Sequence, residues 1–314
     1  QFVKDVIAGI IVAIIALPLS IALALASGVT PEKGIYTAIT AGFVISFLGG
    51  SRVQIAGPTA AFATIVAGIV AKNGMDGLII ATLLAGVILI LMGFLRLGNL
   101  IKFIPYTITT GFTSGIAVTI FIGQIKDFLG LTIVSEEPLI ETMDKLKAVF
   151  QFISTTNVQA LLVGVISLLI LILWQYLPGF CKKIPPSLIA VLVGSAMVAL
   201  LNMNVNTIGD LYEISNKLPS ISLPAFSLKT VQNVLLDAFT IAILAAIESL
   251  LSCVVADSMV NSRHRSNMEL IAQGAGNITS ALFGGIPATG AIARTAANVK
   301  NGGRTPIAGM VHSV

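Results

Sequence analysis

Long charge-free stretches constrain this chain more than any other feature. No Asp, Glu, Lys or Arg falls between Asp5 and Glu32, between Ala148 and Cys181, or between Ile184 and Gly209. Each gap exceeds the roughly 20 residues with which an α-helix crosses a bilayer core. A water-soluble domain has no place to bury that much apolar surface, because 56% of the 314 residues are hydrophobic and only 10% are charged. Soluble domains run at roughly 45–50% and 25%. The sequence therefore predicts an all-α polytopic membrane protein.

Apolar runs place spans at 6–26, 34–48, 55–71, 78–95, 103–125, 158–177, 187–201, 231–255, 270–283, a short one at 291–299, and one starting at Pro306. The linker 126–156 is acidic, and the stretch 207–229 is polar enough to lie at the interface. The first apolar run is too long for a cleavable signal and lacks a small-residue cleavage site, so it reads as the first span. Lys4, Arg52, Arg96, Lys102, Lys182, Lys183, Arg263, Arg265, Lys300 and Arg304 all fall on one side of this topology. The positive-inside rule makes that side, and the N-terminus, cytoplasmic. Cys181 and Cys253 sit in or beside apolar segments and read as inert thiols. The charge balance implies no nucleic-acid partner.

Two segments open alike. Phe47-Leu48-Gly49-Gly50 leads to Gly57-Pro58-Thr59-Ala60-Ala61, and Leu282-Phe283-Gly284-Gly285 leads to Ala293-Arg294-Thr295-Ala296-Ala297. Each lies in the third apolar segment, counted from Val6 and from Val231, which is the pattern of paired discontinuous helices. A helix that starts inside the membrane exposes amides without intrahelical partners, and its dipole puts partial positive charge there. Such an end seats an anion. The first candidate offers Pro58 at an early helical position, the Thr59 hydroxyl, and small Ala60 and Ala61. The second offers the amides of Ala291, Ile292 and Ala293 beside Arg294.

A guanidinium at bilayer depth costs roughly 2.5–3.5 kcal/mol on insertion scales. Arg294 should therefore meet an anion or a carboxylate, unless it snorkels to the surface. Glu248 lies inside an apolar helix with Asp237, Thr240 and Ser252 on roughly the same side. Protonated, or ionised beside a cation or Arg294, it would serve as a coupling device, and a static Glu248–Arg294 pair is the structural alternative. Asp257 reads as an interfacial charge near Arg263. Gln273, Asn277 and Ser280 share one face, as do Thr107, Gly111 and Ser114, and both stripes suit helix packing. The chain has no P-loop, no zinc-binding His pair on a helix and no Gly-x-Ser-x-Gly elbow; His264 lies in a basic loop and His312 near the end of the sequence. An enzyme is not expected.

Taken together, several motifs resemble the SulP (sulfate permease) family of anion transporters across essentially the whole chain. They are Ala8-Gly9 with Leu17-Pro18; Gly49-Gly50-Ser51 with Gln54-Ile55-Ala56-Gly57-Pro58-Thr59-Ala60; and Ile104-Pro105-Tyr106 with Gly111-Phe112. Further along come Glu248-Ser249-Leu250-Leu251-Ser252, Val255-Ala256-Asp257-Ser258-Met259, Gln273-Gly274, Gly276-Asn277 and Gly284-Gly285-Ile286-Pro287. The resemblance implies two inverted repeats of seven segments, split into core and gate, with substrate between the third and tenth segments. Residues 1–205 would form the first repeat, 206–230 a polar interfacial linker, and 231–314 an incomplete second repeat with no STAS domain. Thr59, Ala60 and Ala61 match the first half-helix, Ala293 and Arg294 the second, and Glu248 with Ser252 the positions that relatives use for H+ or Na+ coupling.

The expected function is secondary active transport of a small anion such as sulfate, bicarbonate or a dicarboxylate, by elevator-like alternating access coupled to H+ or Na+. Sodium, if used, would sit at Glu248 and Ser252, and no other cofactor is expected. The expected setting is the inner or plasma membrane, as a homodimer. The alternatives are a nucleobase/cation symporter of similar architecture and a non-transporting anion-binding scaffold.

Overall fold

The computed structural model describes residues 1–99, 106–134, 139, 141–177, 186–212, 218–221 and 223–314. Ile104 and Pro105, Cys181, and the basic pair Lys182 and Lys183 lie outside the described residues. Twelve α-helices are found among them: α1 (Phe2–Ala26), α2 (Pro31–Leu48), α3 (Ala63–Phe94), α4 (Tyr106–Phe128), α5 (Thr142–Gln151), α6 (Val158–Leu173), α7 (Pro186–Leu200), α8 (Ile208–Leu211), α9 (Leu228–Val260), α10 (Ser266–Leu282), α11 (Ile292–Lys300) and α12 (Pro306–Ser313). Two short strands, β1 (Ala56–Gly57) and β2 (Thr289–Gly290), pair antiparallel.

Helix boundaries follow local chemistry. Pro31 and Pro306 open α2 and α12, where a missing N–H costs nothing. Asn261 closes α9 in the left-handed conformation, with φ 50°. The expected spans 55–71 and 78–95 meet in α3, which breaks at Gly74, where φ 67° and ψ −172° lie outside helical space. Helical structure also starts later than expected, because residues 55–59 are extended and a 3-10 turn, Ala60–Phe62, precedes α3. Among the described residues, Phe2–Ala26, Ala60–Phe94 and Leu228–Val260 are long and apolar enough to cross a membrane; Val158–Leu173 and Pro186–Leu200 are apolar but shorter.

The chain forms two compact units. One comprises Gln1–Thr109 and Ile214–Val314, the other Thr110–Glu213. In the first, α3 packs on α9 and α10, α10 on α2, and α1 on α12. Its apolar core joins Phe62, Val66, Ile69, Leu78, Leu89, Ile241, Leu250 and Leu270. The α3–α10 approach is close because side chains are missing where backbones meet: a Cβ at Gly86 would lie 2.7 Å from the Gly274 carbonyl oxygen. The stripe Gln273, Asn277 and Ser280 is fully buried, as a packing role requires.

In the second unit α6 packs on α7. Asn157 caps α6 by accepting from the Gln159 and Ala160 amides at 2.9 and 3.3 Å. The four-residue α8 is opened by a Thr207–Asp210 capping box, whose hydroxyl and amide bonds hold the exposed Asp210 carboxyl below its usual range. Thr107, Gly111 and Ser114 on α4 are exposed rather than packed, and among the described residues nothing lies within 4 Å of a Cβ built at Gly111. This corrects the packing expected of that stripe.

Candidate functional site

The two Gly-Gly segments meet. Ala56 pairs with Gly290 and Gly57 with Thr289, so the extended leads into both half-helices lie side by side. The Ala291 amide donates to the Ile55 carbonyl at 2.8 Å, continuing the ladder by one residue. Ala291 caps α11 in an extended conformation, which leaves Ile292 and Ala293 as its first helical residues. The Ala291 amide, expected to face an anion, is therefore occupied by the strand pairing.

The first half-helix starts differently from the expectation. Pro58 is not an early helical residue; it precedes Thr59, which caps the 3-10 turn in an extended conformation at φ −129°. The ring has no N–H to spend in that extended lead, so proline fits there without cost. The amides of Ala60 and Ala61, like those of Ile292 and Ala293, find no backbone acceptor among the described residues. Thr59, Ala60 and Ala61 are half-buried, whereas Ile292 and Ala293 are exposed.

Arg294 lies behind these tips, only 2% exposed, so it does not snorkel. Its Nη2 donates to the Pro58 carbonyl at 3.2 Å. Nε and Nη1 are buried without a hydrogen-bond partner among the described residues. Nη1 occupies space left by Gly57, where a Cβ would lie 2.5 Å away. No ion pair joins Arg294 to Glu248 among the described residues, so the static pair does not form. Glu248 instead accepts from the Thr59 hydroxyl at 2.9 Å, linking α9 to the first half-helix.

The expected polar stripe on α9 divides. Asp237 is half-buried, Thr240 is exposed and bonds back to the Leu236 carbonyl, and Ser252 is fully buried. The Ser252 hydroxyl lies 3.4 Å from that of Thr295, which also accepts from the Ile55 amide at 3.0 Å. Glu248 and Ser252 are thus one turn apart but engage different partners. Among the described residues no group of three or more His, Cys, Asp or Glu side chains could hold a metal ion. Asp257 binds not Arg263 but His264, accepting from its amide at 2.9 Å and meeting Nδ1 at 2.8 Å. The connection between α9 and α10 turns back at Asn261 and brings the imidazole to the carboxylate.

Two residues that sequence reasoning missed fix this arrangement. Glu269 on α10 is fully buried; its Oε2 accepts from the Gly50 and Ser51 amides at 2.9 and 3.1 Å, and its Oε1 accepts from Gln54 and Gln273, each at 2.9 Å. Gln54 in turn accepts from the Cys253 thiol at 2.7 Å. Glu269 precedes Gln273 by four residues, so the stripe Gln273, Asn277 and Ser280 pointed back to it. Asp5, also fully buried, accepts from the Arg304 and Thr305 amides and the Thr305 hydroxyl, tying α1 to the start of α12.

The Sulfate permease family pattern matches residues 2–314. A relative named "Putative sulfate transporter YvdB" from Bacillus subtilis (strain 168) is 45% identical over 316 residues, covering 100% of this chain and 59% of that protein. Bicarbonate transporter BicA of Picosynechococcus sp. is 34% identical over 322 residues, covering 98% of this chain and 55% of that protein. The chain thus spans little more than half the length of these relatives. The solved transmembrane domain of a cyanobacterium bicarbonate transporter BicA superposes with TM-score 0.86 at 31% identity, over 99% of this chain and 79% of that one. Murine Solute Carrier 26 family member A9 shares the fold, with TM-score 0.87 at 20% identity over 99% of this chain and 55% of that one. With the family pattern running through both half-helix leads, this chain belongs to the sulfate permease family of membrane anion transporters.

Proposed function

We propose that the protein is a secondary active transporter that holds a small anion, such as sulfate, bicarbonate or a dicarboxylate, between the starts of α3 and α11. The observation that carries this reading is Arg294, buried between the joined leads with two of its three guanidinium nitrogens, Nε and Nη1, without a hydrogen-bond partner among the described residues. A buried cation with unpaired donors favours a mobile anion as its missing partner. The Ala60, Ala61, Ile292 and Ala293 amides add partial positive charge beside it. The names of the relatives, for sulfate and for bicarbonate, support the same substrate class.

In this reading Glu248 takes the co-transported H+ or Na+, with Ser252 completing a sodium site. Its hydrogen bond to Thr59 supports the role, because a change in charge at Glu248 is felt directly at the first half-helix. The unit containing α3 and α11 would be the moving core of an elevator built from two inverted repeats, and Thr110–Glu213 part of the gate. The N-terminus is cytoplasmic and the working assembly a homodimer in the cell membrane. Small apolar-lined starts beside an arginine suit an oxyanion better than a nucleobase, so the symporter alternative gains no support.

Uptake of labelled sulfate and bicarbonate into vesicles, with proton and sodium gradients imposed separately, tests this directly. We expect one gradient to accelerate uptake and Glu248→Gln, which keeps an acceptor for Thr59, to abolish that acceleration while downhill exchange persists. An unchanged gradient response in Glu248→Gln would remove the coupling role. Anion binding without flux in the wild type would leave only a scaffold.

A further inference from the structure

We infer that one end of the first unit is a docking surface for the phosphate headgroups of anionic phospholipids. Seven cations lie on loops and helix ends there: Lys4, Arg52, Arg96, Arg263, Arg265, Lys300 and Arg304, all exposed. Hydrogen bonds join their segments into one surface. The Arg265 amide donates to the Gly50 carbonyl at 3.1 Å, bringing the α9–α10 connection against the loop of Arg52. The Gly98 amide donates to Asn267 at 3.1 Å, which brings in the turn of Arg96. Asn298 donates to the Val53 carbonyl at 2.9 Å, placing the end of α11, with Lys300, beside Arg52. Gln1 donates to the Gly302 carbonyl at 3.1 Å and Asp5 binds the Arg304 amide, adding Lys4 and Arg304.

The acids at this end do not neutralise them. Asp5 and Glu269 are fully buried on backbone and amide donors, and Asp257 is engaged by His264 and Ser262. None of the seven cations forms an ion pair within 4.0 Å among the described residues; the Arg304 guanidinium donates to the carbonyls of Val299 and Gly303. The result is a positive surface whose own carboxylates are turned inward.

Neighbouring apolar residues identify the occupant. Phe2 and Val3, 64% and 67% exposed, adjoin Lys4; Phe94 and Leu95, both 70% exposed, adjoin Arg96; Phe47, 67% exposed, stands in the last turn of α2 just before the loop of Arg52. Exposed aromatic and aliphatic groups next to exposed cations are the pattern of a membrane interface, with the stem in the acyl boundary and the charge at headgroup level. An acidic protein partner would need the charges but not these apolar neighbours. Basic clusters at the membrane surface bind anionic lipid at about 1 kcal/mol per Lys or Arg, on the order of fivefold in affinity for each charge removed.

The test is binding of labelled phosphatidylglycerol and phosphatidylcholine to the purified protein in mixed micelles, by competition, for wild type, Arg52→Gln/Arg96→Gln, Arg263→Gln/Arg265→Gln, and Lys72→Gln as an exposed lysine outside the patch. We expect preference for phosphatidylglycerol, a loss of at least tenfold in each double variant, and no change in Lys72→Gln. Equal binding of the two lipids, or undiminished preference in both double variants, would overturn the inference. So would displacement of the labelled lipid by inorganic phosphate or by an acidic peptide at concentrations matching the lipid, since either would show that the surface reads charge without a lipid. These lipid measurements need no anion flux, so they stand apart from the transport assays.

Discussion

The lead into α3 is held by charged side chains in addition to the neutral Thr295 and Asn298, whereas the lead into α11 is held by neutral ones. Glu269 gathers three N–H donors from Gly50–Gln54 and a fourth from Gln273, Glu248 takes the Thr59 hydroxyl, and Arg294 donates to the Pro58 carbonyl. On the other side, the Thr37 hydroxyl accepts the Ile286 amide at 2.7 Å and Ser280 donates to the Ile286 carbonyl at 2.7 Å. Asn277 exchanges two bonds with Ala288, and Ser249 meets Thr289 at 2.7 Å. In a low-dielectric interior, charged clamps are stronger but leave costlier orphans when broken. The first lead is thus the electrostatically tuned one, and the second is a fixed frame against which it is set.

That contrast can be broken by mutation. Glu269→Ala orphans the Gly50 and Ser51 amides with two side-chain amides, and we expect a loss of about 4 kcal/mol of stability. Asn277→Ala removes the reciprocal bonds to Ala288 and should cost about 2 kcal/mol. Thermal unfolding in one detergent compares the two, and an Asn277→Ala loss equal to or larger than that of Glu269→Ala would erase the distinction between charged and neutral clamping. Gly57→Ala should cost least in stability, about 1 kcal/mol, because its Cβ meets the movable end of a side chain, Arg294 Nη1. Its expected effect is on anion affinity, roughly tenfold weaker, or about 1.4 kcal/mol, read by equilibrium binding of labelled sulfate or bicarbonate. Unaltered affinity would mean that the guanidinium position does not set the binding strength.

The apolar spans were legible because a bilayer demands long uncharged runs, and α1 and α9 contain the expected 6–26 and 231–255. The doubled Gly-Gly pattern also marked both leads. What could not be read was the pairing of β1 with β2, since two-residue strands carry no periodicity and their partners lie in distant sequence. Pro58 misled for the same reason: proline suits both a first helical turn and an extended lead. Arg294 and Glu248 stood out as charges in apolar segments, but each found its partner on the extended lead into the first half-helix rather than in the other. Glu269 was overlooked because it stands at the polar start of α10, outside the expected 270–283 span, although its fourfold spacing from Gln273 placed it on the buried face.

The Arg294 to Pro58 bond joins residues 236 positions apart. While the chain is being made, the backbone around Pro58 enters the membrane long before α11 exists to receive it. Bare peptide groups are poorly tolerated in hydrocarbon, so this stretch is expected to stay in a wetter setting until the distant arm arrives. A late closing event in biogenesis is therefore expected: a chain halted before residue 289 lacks the partner strand of the first lead and should be degraded faster in a pulse-chase than one that includes α11.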